Sequence, residues 1–195
     1  MPTVVNGLPA HILLVHVVIA IVPIAAVLVL IAGVWPAARR WLNWLPVLAA
    51  LAALAAVPIT TNAGHWLQHH LRIPVNPAIQ HHINLGNQML PWVIALFVAS
   101  LVVWAAAVLE GHRTLAIGAR RRPNAGVRSS GSTVHASTGA TTTSPTLVRA
   151  TARRRLALRV VVAIIAAVTA VGAVQQVYRT GEAGSRAVWS GTFNK

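Results

Sequence analysis

The chain has 195 residues, of which 56% are hydrophobic and 9% charged, against about 25% charged in a typical soluble domain. Sixteen Lys and Arg stand against two acids, Glu110 and Glu182, for a formal charge of +14, with nine His, seven Trp and no Cys. The missing Cys excludes disulfides, Cys-ligated zinc, iron–sulfur clusters and a thiol nucleophile. Two acids exclude paired-carboxylate chemistry unless those two meet.

Leu8 to Trp35 is apolar apart from His11 and His16. It lacks a basic n-region and far exceeds the h-region of a cleaved signal peptide, so it reads as a retained helix. Leu45 to Ile59 is apolar, and helix is expected to continue to Leu71. Pro23 and Pro58 predict kinks, with Thr60 and Thr61 placed to bond the carbonyls that Pro58 frees. Gly64 predicts a close helix approach. Leu85 to Leu109 carries only Asn87, Gln88 and Ser100 as polar interruptions, and Leu156 to Val174 only Arg159 and Thr169. A spanning helix needs about 20 mostly apolar residues. The expected fold is an all-α membrane protein, a four-transmembrane-helix bundle with helices over about 8–35, 45–71, 82–109 and 156–178. Trp35, Trp41, Trp44, Trp66, Trp92 and Trp189 fall near segment ends, where interfacial Trp concentrates. No internal repeat is evident, and this weakens a transporter reading.

Charge sets the expected orientation. Twelve of the sixteen basic residues fall in the connections after spans one and three, or just inside span four at Arg159. The opposite side holds Arg72, Arg179, Arg186 and Lys195. The positive-inside rule then predicts both termini outside and the 36–44 and 111–155 connections in the cytoplasm. The preference for Arg over Lys, with abundant Ala, points to a GC-rich bacterial genome and hence to a bacterial plasma membrane. Residues 129–144 are Ser, Thr, Gly and Ala with hardly a large apolar group. They predict a disordered cytoplasmic linker within 111–155. That linker has no stacking aromatics, so the charge does not read as a nucleic-acid footprint. Arg120–Arg122 and Arg153–Arg155 are expected to meet anionic lipid headgroups, at about 1 kcal/mol per Arg.

Seven of the nine His gather on the predicted outer side: His11, His16, His65, His69, His70, His81 and His82. His16 has apolar neighbours on both sides, and an ionisable group within a span marks a candidate functional site. His11 and His16 are five apart, about 140° round a helix, so both face one site only if the helix starts between them. His81 and His82 are adjacent, so one at most is expected to point inward. His65 and His69 share a helix face and fit one metal, with His70 and His81 as further ligands. Asn84, Asn87 and Gln88 are candidates for caps or bonds across the bundle. Glu182 is the one outer acid. It is expected to pair with Arg179 or Arg72, or to act as a proton-handling partner of the histidines. Glu110 is expected in solvent or with Arg113.

Several of these segments resemble a bacterial integral-membrane family known as domain of unknown function 2231. Asn6-Gly7-Leu8-Pro9-Ala10-His11 through His16 resembles its first-helix motif, in which His11 is usually followed by Pro where this chain has Ile12. Thr60-Thr61-Asn62-Ala63-Gly64 resembles its second-helix end, His82-Ile83-Asn84-Leu85-Gly86 the start of its third helix, and Arg179 to Trp189 its tail. The likeness touches all four spans but not 111–155. It implies a four-helix membrane protein of unassigned activity and supports His11, His16 and His82 as site residues. A more distant resemblance is to small b-type cytochrome bundles with paired helix-borne His.

Three functions are compatible with this pattern. The first is a redox protein with a single b-type haem, or a quinone site, in the outer half, with His16 as one haem ligand and His82 or His65 as the other. The absence of His from the inner half excludes a second His-ligated haem there. The alternative is an outer-side copper or zinc site at the histidines, a hard cation being disfavoured. The third is a membrane-protein subunit or homo-oligomer without chemistry of its own. Hydrolase chemistry has no support, because Ser100 is a lone hydroxyl within a span.

Overall fold

Lipid offers backbone groups no hydrogen-bond partner, so each apolar run must close its own ladder as a helix. The computed structural model describes residues 4–5, 8–70, 76–120 and 145–189, with side chains over 9–70, 76–110 and 152–189. Two-residue strands β1 (Val4–Val5) and β2 (Leu8–Pro9) pair antiparallel, a ribbon that hydropathy does not reveal. Six helices follow: α1 (Ala10–Val34), α2 (Pro36–Leu42), α3 (Leu45–His70), α4 (Pro77–Asn87), α5 (Met89–Arg120) and α6 (Pro145–Trp189). Among the described residues four stretches are long and apolar enough to cross a membrane: Ala10–Val34, Leu45–His70, Pro77–Glu110 and Ala152–Trp189.

The breaks have local causes. Trp35 is extended (φ −111°, ψ 102°) because it precedes Pro36, which then opens α2 at its first position. Asn43 ends α2 at φ 43°, a left-handed conformation that Asn tolerates. Asn76 caps α4, its Oδ1 accepting from the Ile79 amide at 2.8 Å, with Pro77 next in line. Pro91 has no amide to give the Asn87 carbonyl, and the helix breaks at Gln88 between α4 and α5. Pro23 and Pro58 sit inside unbroken α1 and α3. The Thr60 and Thr61 hydroxyls bond the Ala56 and Val57 carbonyls. They do not reach that of Leu54, the one Pro58 frees, so the expected repair role is corrected.

Helix also extends past two predicted limits. α5 runs through Arg120 and α6 begins at Pro145, because the Ala, Leu and Arg of these flanks are good helix formers. Residues 121–144, the middle of the expected linker, lie outside the described residues.

The helices pack where side chains are smallest. α1 packs against α3 and α6, α5 against α6 and α3, and α4 against α6. A Cβ at Gly33 would stand 2.6 Å from the Ala166 Cβ. At Gly172 it would enter the Trp92 ring, so Trp92 covers α6 instead of marking an interface. Around these contacts lie Val22, Ala25, Val29, Val93, Leu96 and Ala166, each at most 1% exposed.

The buried positions reveal a duplication. A shift of 71 residues carries the buried Val18, Val22, Ala25, Val29 and Ala32 of α1 onto the buried Met89, Val93, Leu96, Ser100 and Val103 of α5. A shift of 120 carries Ala50, Ala53 and Val57 of α3 onto Ala170, Ala173 and Val177 of α6, all buried and of identical type. The chain is two like helical hairpins, α1–α3 and α4/α5–α6. The expectation of no internal repeat is therefore corrected. The repeat lies in which positions are buried, and most residue types have diverged.

At the end away from α4, Arg39 is 4% exposed. Its Nε donates to the Ala32 carbonyl at 2.8 Å and its Nη2 to the Gly33 carbonyl at 3.0 Å, closing the last turn of α1. Burial lowers the Arg39 guanidinium from its ordinary value and nearby Glu110 pulls it back up. Glu110 pairs with Arg159 at 3.1 Å, tying α5 to α6. The Arg113 side chain lies outside the described residues.

Two substitutions test this packing by thermal unfolding in detergent. Gly172→Ala displaces Trp92 and is expected to cost about 1–3 kcal/mol, whereas Gly181→Ala, with open space around its Cβ, is neutral or stabilising. Arg39→Met strands two carbonyls and is expected to cost about 3 kcal/mol, with Arg39→Lys recovering only part because it lacks the planar fork.

Candidate functional site

His11 lies in the first turn of α1, because the helix opens at Ala10. Its ring crosses to α3, where Nδ1 is 3.0 Å from the Thr60 carbonyl. The next turn of α3 leaves room for it at Gly64, where a Cβ would stand 2.9 Å from the His11 Cε1. The second hairpin repeats each contact. His82 on α4 places Nδ1 3.0 Å from the Thr180 carbonyl of α6, and a Cβ at Gly184 would stand 3.0 Å from its Cε1. Both threonine hydroxyls turn back to the carbonyl four residues earlier, Ala56 and Gln176, at 2.8 Å. His82 is the partner of His11 under the shift of 71, and Thr180 and Gly184 are those of Thr60 and Gly64 under the shift of 120.

This geometry settles the tautomers. A carbonyl has no proton, so Nδ1 must donate in both rings, and Nε2 is left with its lone pair when the ring is neutral. Among the described residues neither Nε2 has a hydrogen-bond partner.

The two imidazoles flank a cavity of about 660 Å³ between the four long elements, within the range of small-molecule and cofactor sites. Its lining is mostly apolar and follows the duplication. Val57 and Val177, Ile12 and Ile83, Val18 and Met89, and Leu67 and Ala187 face it in pairs. Gly86 and Gly181 add open space. Gln176 secures the α4 wall, its Nε2 donating to the Leu85 carbonyl at 2.8 Å.

The other predicted site residues separate by position. His16 reaches the cavity from the next turn of α1, but it is exposed and its Nδ1 donates to its own helix at the Ile12 carbonyl, 2.7 Å away. α1 starts before both His11 and His16, yet both line the cavity, His11 turned to α3 and His16 onto its own helix, so the expectation that they could share a site only if the helix began between them is corrected. His65 stands exposed at the cavity rim. His69 and His70 are exposed beyond it, with His70 stacked on Trp66 at 4.5 Å. His81 is exposed while His82 turns inward, the division expected of adjacent residues. Among the described residues no three His or acidic side chains converge on one point. Glu182 pairs with Arg186 one turn on, at 2.6 Å, so the expected pairing with Arg179 is corrected, and Arg72 lies outside the described residues. Arg179 is exposed. Asn84 bonds within its own helix, accepting from Gln80 at 3.0 Å. Arg120–Arg122 have no described side chains, and Arg153–Arg155 are exposed on α6.

Gly64 was expected to admit a neighbouring helix; it admits the His11 ring. Thr180 and Gly184 were not singled out from the sequence as site residues. The signal is present: Thr-x-x-Ala-Gly occurs at Thr60–Gly64 and again at Thr180–Gly184. Comparison of the chain with protein-family models, with curated proteins and with solved structures finds no match, and the site is therefore read from its own geometry.

Proposed function

We propose that the chain is a membrane redox protein that binds one b-type haem in this cavity, with His11 and His82 as axial ligands. The observation that carries the reading is the pair of like imidazoles, each locked by an Nδ1–H bond to a helix carbonyl, with Nε2 free beside an apolar cavity. A second-shell bond of that kind fixes the tautomer and orientation of ligating histidines. The ligand count favours haem over a bare ion. Zinc needs three or four protein ligands, and two imidazoles do not complete that set. A porphyrin brings four nitrogens of its own and asks the protein for two axial ligands and an apolar slot. Held by His11 and His82, a haem would supply one-electron transfer. In this reading His82 rather than His65 is one ligand, and His11 takes the place expected for His16 as the other.

The positive-inside rule supports an orientation in which the histidine end and both termini face outward from a bacterial plasma membrane and the basic end faces the cytoplasm. Arg153–Arg155, exposed in the first turns of α6, then meet anionic headgroups. The resemblance to domain of unknown function 2231 agrees with a multi-pass membrane protein.

Absorption and metal analysis of the full chain, expressed with haem supplied and purified in mild detergent, test this. One haem per chain with a Soret band is expected. His11→Ala and His82→Ala should each lower haem content at least tenfold, and His81→Ala should leave it unchanged. No Soret band after supplementation, or full haem in either of the first two variants, sinks the reading. Copper or zinc in place of iron, lost with His65→Ala plus His69→Ala, supports the metal alternative instead.

A further inference from the structure

The two hairpins line the cavity alike around His11 and His82 but differ at its mouth. Where the first hairpin presents Thr61, His65 and Gln68, the shift of 120 finds Gly181, Ser185 and Val188. Where α1 presents His16, the shift of 71 finds Asn87, which does not face the cavity. Hydrogen-bonding side chains are thus concentrated on the α1–α3 side.

His16 is the odd group among them. It lies about 7.5 Å along the helix from His11, toward the middle of the span. Ile12 and Ile19, one turn to either side, are each 45% exposed and line the same cavity, so its wall here is apolar and open on one side. The His16 Nδ1 donates to the Ile12 carbonyl, so Nε2 of the neutral ring presents a lone pair at the edge of the cavity. No described residue donates to it. An unpaired acceptor in hydrocarbon is costly. A largely apolar molecule that carries a hydroxyl can enter the cavity from the bilayer and donate to it. Thr61 does not serve, since its own hydroxyl is committed to the Val57 carbonyl at 2.6 Å.

We propose that the α1–α3 mouth of the cavity docks a membrane quinol, with one ring hydroxyl donating to Nε2 of His16. The proposal rests on the haem reading for its electron acceptor and on the cavity alone for its binding site. In the first step the hydroxyl O–H bond breaks. Its proton passes to Nε2 of His16, and a haem held by His11 and His82 would take up the one electron that leaves with it. The rim groups His65 and Gln68 stand where the quinol's second hydroxyl can be met. A quinol fits the asymmetry of the mouth because one partner must enter from one side while the haem occupies the symmetric interior.

Two measurements on the full detergent-solubilised chain separate the claims. In the first, a short-tailed ubiquinol is added anaerobically and the ferrous bands are followed by stopped flow. Wild type is expected to reduce, and His16→Leu to reduce at least tenfold more slowly with an unchanged Soret band and full reduction by dithionite. His16→Gln, which restores a polar group, is expected to recover part of the quinol affinity but not the rate, since an amide takes up no proton. Wild type reduced by dithionite but not by quinol, or His16→Leu reduced at the wild-type rate, overturns the proposal while leaving the haem reading intact. In the second, binding of the short-tailed ubiquinol, kept reduced under anaerobic conditions, is read from quenching of Trp fluorescence in protein without haem. A Kd at least tenfold weaker in His16→Leu is expected even in protein without a Soret band. An equal Kd in the two proteins overturns the docking site whether or not haem is present.

Discussion

Helices in a bilayer gain little by burying apolar side chains against one another, because lipid tails are as apolar as leucine. They associate through close van der Waals contact, and that requires small residues at the crossings. This constraint organises the protein. Gly33 admits the Ala166 methyl, Gly172 admits the Trp92 ring, and Ala25, Ala26, Ala50, Ala53, Ala166 and Ala173 fill the remaining contacts. The apolar surface left over is turned outward, with Ile24, Val27, Val98, Ile164 and Val168 all exposed. In a soluble protein such a surface would be an aggregation hazard. Here it is the contact with solvent, and the solvent is lipid.

The same rule of close approach, used at one end of the bundle for a ring instead of a helix, builds the site. Gly64 and Gly184 receive imidazoles where other glycines and alanines receive neighbouring helices. Each ring then reaches a carbonyl already held in an α-helical ladder, and one oxygen with two lone pairs serves both. The cost of placing a polar ring in an apolar bundle is met at Nδ1, and Nε2 remains for a ligand. Duplication explains why two such rings occur. A hairpin that positions one histidine, repeated and packed on its twin, positions two of them on either side of the space where the halves meet.

Symmetry also gives meaning to what breaks it. The paired interior suits a ligand that needs two equal donors. The unpaired His16, His65 and Gln68 mark one side as different, and difference is what a directional encounter with a second molecule requires. At the other end Arg39, Glu110 and Arg159 link α2, α5 and α6. The chemistry and the anchoring of the bundle are thus kept at opposite ends.

Much was legible from residues alone. Long runs of Ala, Val, Leu and Ile admit one structure in lipid, so four spanning helices follow from hydropathy, and that at most one of His81 and His82 turns inward follows from helical periodicity. Pairing was not legible. His16 looked the stronger ligand because it lies deeper in its span, yet its ring turns onto its own helix at Ile12 while His11 crosses to Thr60. Composition likewise placed Glu182 with Arg179, and the helix turn placed it with Arg186. Hydropathy is a property of single segments and fixes what each segment becomes. Which imidazole meets which carbonyl depends on the relative rotation of two helices, and that is decided where Gly64 and Gly184 leave space for a ring, a fact only the packed bundle contains.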